Sequence, residues 1–319
     1  MQGLFGDWLP GAPRERILIG ASIGAWRMAA ACQRDPVAAF ARLGRAYTGQ
    51  RYLSTKPTQA EIGMVVRRLL HDFIDGHEED ILRHPQHRLH VVAARGHGAL
   101  AAPGHRRAEL SGFIQAALRN ATGRARLRHV LERVVLVDPR ASGAWLAPGF
   151  DAFATHIAPL QSASLQAALL ASGTLPLLMQ AVTGIGGAPR GHYWDGGLID
   201  YHLALPYQRA VSSEEIVLYP HFNEHIVPGW FDKAMPWRRV ARGPQRAWLD
   251  QVLIVSPTPA FLATLPRTKL PDRSDFQHYG LDHDARVRAW GQAIGEGGRL
   301  RDALAEFVAR PDPACIRAL

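Results

Sequence analysis

Cysteine is nearly absent: Cys32 and Cys315 are the only two in 319 residues, and they stand near opposite ends of the chain. Two thiols so placed exclude a disulfide framework and a thiolate metal cluster, and they suit a reducing compartment. Long hydrophobic runs are missing too, with no apolar stretch reaching the roughly 18 residues that span a bilayer. There is no internal repeat and no low-complexity tract. Charged residues are held to 20% against 47% apolar, which excludes a disordered or collagen-like chain. Acidic residues fall short of basic ones, 28 against 37, leaving +9 at neutral pH. That surplus favours anionic partners such as phosphate groups, nucleic acid or a membrane surface, and says nothing about fold. The length suits one large domain or two small ones.

The N-terminus imitates an export signal without completing one. Arg14 and Arg16 precede an apolar stretch, and Ala29-Ala30-Ala31-Cys32 resembles a lipoprotein cleavage box. Arg27 interrupts that stretch and Gly20 and Gly24 weaken it as a helix, so a cytoplasmic protein is expected, in peripheral contact with membrane at most.

Short apolar runs alternate with longer helical patterns, which predicts an α/β fold. Strands are expected at 16–20, 88–94, 133–137, 216–219 and 252–255. Each is short and nearly continuous in Val, Leu and Ile, as when helices cover both faces of a sheet. Helices are expected at 25–31, at 37–47 after a break at Asp35-Pro36, and at 58–73. In the last of these Ile62, Val65, Val66, Leu69, Leu70 and Phe73 recur at three- and four-residue spacing. Further helices are expected at 111–119, 162–171 and 299–308. Residues 183–190 read as a glycine loop and 220–248 as an irregular cap. The economical division is a domain over 1–256 with a C-terminal extension over 257–319.

The sharpest local signal is Gly20-Ala21-Ser22-Ile23-Gly24, a G-x-S-x-G directly after a strand and before a helix. A serine on such a turn sits in a strained backbone, and its Oγ projects from the end of the sheet. The helix N-terminus behind it offers free N–H groups and positive dipole to a developing oxyanion. The plain alternative is an N-cap serine on an ordinary helix. A second signal is Trp194-Asp195-Gly196-Gly197-Leu198-Ile199-Asp200, which alone reads as a hairpin turn.

Taken in order, with Ala171-Ser172-Gly173-Thr174-Leu175-Pro176 between them, these motifs resemble the patatin-like phospholipases over residues 16–220. The resemblance implies a three-layer α/β/α sheet with helices on both faces. It also implies a dyad without histidine, Ser22 as nucleophile and Asp195 as base, hydrolysing lipid or lysophospholipid acyl esters through an acyl-serine. An ordinary aspartate, near pKa 3.9, is a weak base toward a serine hydroxyl. The apolar neighbours Tyr193, Trp194, Leu198 and Ile199 suggest a partly desolvated carboxylate with a raised pKa. The Ile23 N–H is the expected oxyanion donor. Gly20, Gly24, Gly196 and Gly197 are expected to permit the two turns.

The sequence departs from that family upstream of Ser22. Patatin-like enzymes carry a glycine-rich oxyanion loop there, whereas Gly3, Gly6 and Gly11 are scattered through the 21 preceding residues. Losing one oxyanion donor costs about 10²–10³ in rate. Three explanations stay open. The favoured one is an N-terminally shortened chain, which would be hard to produce soluble because a sheet edge would be left open. In the second, Gly96-His97-Gly98 or Gly184 to Gly187 substitutes. In the third, the fold persists without activity, as a lipid- or protein-binding domain.

Weaker constellations remain. His221 or His225 could complete a Ser–Asp–His triad in an α/β-hydrolase, the plain reading being a polar loop. His77, Glu78, Glu79, Asp80, His84 and His87 match no metal-ligand spacing, and Gly184 to Gly187 is too short for a dinucleotide fingerprint, so no metal or cofactor is expected. Trp237, Arg238, Arg239, Arg242 and Arg246 suit either an anionic membrane interface or a packed cap. No nucleic-acid-binding motif accompanies the charge.

Overall fold

A computed structural model describes residues 1–12 and 14–319. The chain is mixed α/β, built on a mixed sheet with helices around it. The strands of the main sheet are β1 (Arg16–Ala21), β2 (His87–Gly96), β3 (Leu131–Val137), β4 (Thr155–Pro159), β5 (Val182–Thr183) and β6 (His192–Asp195). The longer helices are α1 (Ile23–Ala31), α2 (Pro36–Thr48), α3 (Gln59–Ile74), α5 (Arg106–Thr122) and α6 (Ser162–Ser172), with the short α4 (Glu78–Leu82) and α7 (Gly197–Asp200) between them. β7 (Val217–Pro220) and β8 (Val252–Val255) form a separate parallel pair, followed by α8 (Pro259–Ala263), α9 (Ser274–Tyr279) and α10 (His283–Ala309).

β2 organises the sheet. Along one edge it pairs antiparallel with β3, which pairs parallel with β4. Along its other edge β2 carries two strands in succession. β1 lies parallel over His87 to Val92, and β6 lies antiparallel over Ala93 to Arg95. Ala21 therefore faces Val92 and Asp195 faces Ala93, so the ends of β1 and β6 meet at neighbouring rungs of one strand.

Alternation of side chains sorts β2 into two cores. Leu89, Val91 and Ala93 pack with Ala25, Ala29, Leu70, Phe73, Leu165 and Leu169 of α1, α3 and α6. On the opposite face Val92 joins Trp145, Leu205 and Tyr207, while Ala94 joins Leu100, Phe113 and Trp194. Every residue of β3 is buried, which is why its second half, Val134 to Val137, reads as an unbroken Val-Leu run, while Glu132 and Arg133 are buried in ion pairs.

Several elements differ from sequence expectation: the strands expected at 216–219 and 252–255 form the separate, half-buried β7–β8 pair, and the short β5 opens the expected glycine loop. β4 and β6 are additional strands, one closing on Pro159 and the other made of His-Tyr-Trp-Asp, with neither the length nor the aliphatic content that marks β3. The last helix begins at His283 rather than near 299. Gly291, Gly295, Gly297 and Gly298 hide it, since each costs a helix about 1 kcal/mol relative to alanine. Tertiary contacts anchor it instead. Asp282 caps its N-terminus at Ala285 N, the buried Arg286 donates to the carbonyls of Thr48 and Gln50 beyond α2, and Trp290 donates to Asp275 at 2.9 Å. Residues 257–319 thus reach back onto the first helices of the chain. No helix of the described residues is long and apolar enough to cross a membrane.

Candidate active site

Ser22 stands at the junction of β1 and α1 with φ 55° and ψ −138°, a left-handed conformation that a serine adopts only under constraint. Two features impose it. Gly20 runs so close to α1 that a Cβ there would lie 2.4 Å from the Ala25 nitrogen. The Ser22 N–H also donates both to the Ser172 carbonyl, at 3.1 Å, and to Ser172 Oγ, at 3.0 Å. Ser172 Oγ in turn donates to the Val92 carbonyl at 2.6 Å, tying the turn to the central strand.

Asp195 ends β6 and is 4% exposed. Its N–H donates to the Thr174 carbonyl at 2.8 Å, and its Oδ1 accepts from Gly197 N at 2.7 Å. The turn that follows fits only without a side chain, because a Cβ on Gly196 would lie 2.4 Å from the Val92 carbonyl oxygen. The segment between Ala171 and Pro176 is therefore a brace, with Ser172 holding the serine turn and Thr174 holding the aspartate strand. Burial pushes the Asp195 carboxyl up to about 6. Hydrogen bonds from the Ser22 side chain and the Gly197 N–H, with the charge of Arg273, keep it from rising further. A carboxyl near 6 is ionised at neutral pH yet basic enough to accept a hydroxyl proton.

The oxyanion side is sparser. Since Ser172 takes the Ser22 N–H, the donors left open at the start of α1 are the Ile23 and Gly24 N–H groups, which make no hydrogen bond among the described residues. Space around Gly24 is open, whereas a Cβ at Gly197 would press on Asp195 Oδ1 at 2.9 Å. Upstream, Leu4–Trp8 and Leu9–Gly11 form two short helical turns. Neither Gly96-His97-Gly98 nor Gly184 to Gly187 lines the cleft that holds Ser22, so neither supplies donors there. Among the described residues β1 pairs only with β2, leaving its outer edge toward that cleft.

The cleft is wide, about 4250 Å³, and Ser22 and Asp195 both line it. A ligand pocket is usually about 300–1,000 Å³. Its walls include β1, the β7–β8 pair and residues of α2, α3 and α10. Three further residues line the cleft: Arg27 on α1, read in the sequence only as a charge interrupting the apolar stretch, and Tyr47 on α2 and Arg273 before α9, which carried no sequence signal. No local pattern marks them, because α2 and the C-terminal segment bring two of them in from elsewhere in the chain.

The other sequence candidates lie apart from the dyad. Asp200 is buried in an ion pair with Arg133 at 2.6 Å, a structural role beside Asp151 on the same guanidinium. His221 borders the cleft, but its Nδ1 lies against the Asn223 carbonyl and its ring against His202 at 4.3 Å. His225 is exposed, 3.6 Å from Glu224, and no hydrogen bond joins either histidine to Ser22 or Asp195. His84 stacks on His87 at 4.1 Å, and burial lowers its pKa to about 4. His77 contacts Arg42 and Asp80, and no group of three His, Cys, Asp or Glu among the described residues is placed to hold a metal ion. In the cap, Arg238 turns inward to Asp232 at 2.9 Å and to the carbonyls of Asn120 and Ala121. Trp237 is left 65% exposed, with Arg242 and Arg246 also facing solvent.

Comparison with protein-family models, with curated proteins and with solved structures returned no match to this chain.

Proposed function

We propose that this chain is a serine acyl-ester hydrolase that works through a Ser22–Asp195 dyad, with the layered arrangement of a patatin-like domain. The observation that carries the reading is the conjunction at neighbouring rungs of β2. A serine strained to φ 55° and a buried carboxyl that burial pushes up to about 6 stand at the ends of β1 and β6, and both open onto a large cleft. Ser22 Oγ attacks the ester carbonyl while Asp195 takes its proton, and Asp195 then gives that proton to the leaving alkoxide, so the alcohol departs from an acyl-serine and the carboxylate is restored. Water, deprotonated by the same carboxylate, then frees the acid. The Ile23 and Gly24 N–H groups, at the positive end of α1, face the developing negative charge. The cleft admits a long acyl chain, which favours lipid or lysophospholipid esters. The basic surface, with Trp237 at its exposed cap, suits contact with an anionic membrane.

One observation favours a second reading, a lipid-binding domain without turnover: the donors free to stabilise an oxyanion are confined to the first turn of α1. A fluorophosphonate probe separates the two. Labelling of the wild type that is lost in Ser22→Ala and Asp195→Ala supports the hydrolase. A folded wild type that stays unlabelled refutes it.

A further inference from the structure

Both faces of α5 are apolar. The inner face, with Gly112, Phe113 and Ala116, packs into the core around Ala94 and Trp194, where Phe113 meets the Trp194 ring edge-on at 5.4 Å. The outer face carries Leu110, Ile114 and Leu118, four residues apart and so aligned along one side of the helix. They are 44%, 52% and 64% exposed. Ala117 and Ala121 lie on the same side and are exposed as well. A surface helix ordinarily turns polar residues to water, and an apolar stripe rimmed by charge marks a surface that something covers.

The rim here is basic. Between His105 and His129 the only acidic residue is Glu109, and it is buried. Its carboxylate is taken up inside, accepting from Leu177 N at 2.8 Å and from Gln59 Nε2 at 3.3 Å. Arg106, Arg107, Arg126 and Arg128 are exposed, and among the described residues none of them pairs with a carboxylate. The far end of α5 is tied to the cap. Arg238 donates to the Asn120 carbonyl at 2.8 Å and to the Ala121 carbonyl at 3.2 Å, which places the exposed Trp237 beside the last turn of the helix. The near end borders the cleft: Arg106 lines it, and so does Leu178, which is 42% exposed and follows the residue that Glu109 holds.

The charge opposes a second copy as the covering partner. Two such faces brought together about a two-fold axis set the arginines of one copy against those of the other. A nucleic acid would meet the arginines and leave the leucines in water. A bilayer with anionic headgroups takes all three parts: the apolar side chains at the acyl boundary, the tryptophan at headgroup level and the arginines among the lipid phosphates. We propose that the outer face of α5 is a docking surface for an anionic lipid bilayer, seated through Leu110, Ile114 and Leu118 and held by Arg107, Arg126 and Arg128. This gives the membrane contact of the proposed function a place on the molecule, and it sets the Arg106 and Leu178 edge of the cleft against the lipid. Delivery of lipid into the cleft by that edge rests on the hydrolase reading, whereas the docking itself does not.

Co-sedimentation of the full chain with vesicles tests it, using equal parts phosphatidylcholine and phosphatidylglycerol against phosphatidylcholine alone. The wild type should bind the anionic vesicles at about 0.1 M salt and be released at about 1 M, as the Debye length falls from about 10 Å to about 3 Å. Ile114→Gln and Leu118→Gln, both at exposed positions, should each weaken binding about 10-fold through lost apolar burial. Arg107→Gln and Arg128→Gln should each weaken it about fivefold, the effect of one cation near an anionic surface. Ser22→Ala should bind as the wild type does, so a chain that fluorophosphonate never labels still tests the surface. Binding that the two glutamine replacements on the stripe leave unchanged overturns the proposal, and so does equal binding to neutral vesicles. A homodimer that Ile114→Gln disperses, or DNA binding that it leaves intact, each without binding to vesicles, assigns the face to another partner and overturns it too. A second measurement reads the face directly. Ile114→Cys in a Cys315→Ser background presents one accessible thiol, because Cys32 is buried. A polarity-sensitive fluorophore on that thiol should shift to the blue when anionic vesicles are added. Protein that sediments with the vesicles while the emission stays unshifted docks by a different face, which refutes the assignment to α5.

Discussion

Replacing Asp195 by asparagine keeps the shape of a side chain that is 4% exposed while removing the charge its surroundings disfavour. Burial moves the carboxyl from 3.8 to about 6 in the folded chain. At 1.36 kcal/mol per pKa unit, ionising it in place costs about 3 kcal/mol of folding free energy. The sign follows from proton counting. Below the ordinary carboxylate range both folded and unfolded chains carry the proton, and Asp195 costs nothing. As pH rises toward 6 the unfolded chain loses its proton first, so the wild type is progressively destabilised, and above about 6 the cost is complete. Asparagine escapes this and forfeits part of the hydrogen bonding with Ser22 and Gly197. The expected gain for Asp195→Asn is thus about 1–3 kcal/mol near pH 8 and close to zero near pH 4. Urea midpoints of the two proteins at both pH values measure it. The same carboxylate makes fluorophosphonate labelling of the wild type climb as pH rises through about 6. Equal stability near pH 8, or a gain that is the same at both pH values, would refute the claim that the base is a desolvated carboxyl.

Other perturbations probe the rest of the site. Ser22→Gly should be more stable than Ser22→Ala by about 1 kcal/mol in thermal unfolding, because glycine relieves the left-handed backbone that alanine retains; equal melting would show that the turn is unstrained. Ser172→Ala removes one acceptor for the Ser22 N–H and the bond to Val92, so it should cost about 1–3 kcal/mol of stability and slow labelling, with any remaining label still on Ser22. Gly20→Ala should disrupt folding through its contact with Ala25, whereas Gly24→Ala should fold normally, as circular dichroism of the purified variants will show. The Cys32 thiol is fully buried and burial raises its pKa, while Cys315 is exposed; a native sample should present one reactive thiol to an aromatic disulfide reagent and a denatured sample two.

The first half of the site was legible because its signals are local. Ile17-Leu18-Ile19 marks a strand, though Ile17 is exposed and Ile19 half-buried rather than covered on both faces, and Gly20-Ala21-Ser22 marks the turn, within a handful of adjacent residues. Asp195 was found through the glycines that follow it, although the strand carrying it was not, since His-Tyr-Trp-Asp has no aliphatic run and sits beside residues that signal a turn. The brace was quoted as a motif, but its role appears only when Ser172 and Thr174 are seen bonded to opposite halves of the dyad. Tyr47 and Arg273 carried no signal at all, and Arg27 counted only as a charge interrupting the N-terminal apolar stretch. The long C-terminal helix was hidden because its stability comes from Arg286 and Trp290 docking on distant elements rather than from its own propensities.

The shared register of β1 and β6 on β2 bears on how the molecule can lose activity. The turn that carries Ser22 and the strand that carries Asp195 are both fixed to Val92 and Ala93, residues at the centre of a strand buried on both faces. Backbone amides there belong to the class that exchanges with solvent only when the whole domain opens. Fraying of the termini or breathing of the cap leaves Ser22 and Asp195 aligned, so on the hydrolase reading partial denaturation is expected to produce no species of intermediate activity. Each molecule is either competent or globally unfolded, and the residual rate of a stressed sample counts the folded fraction.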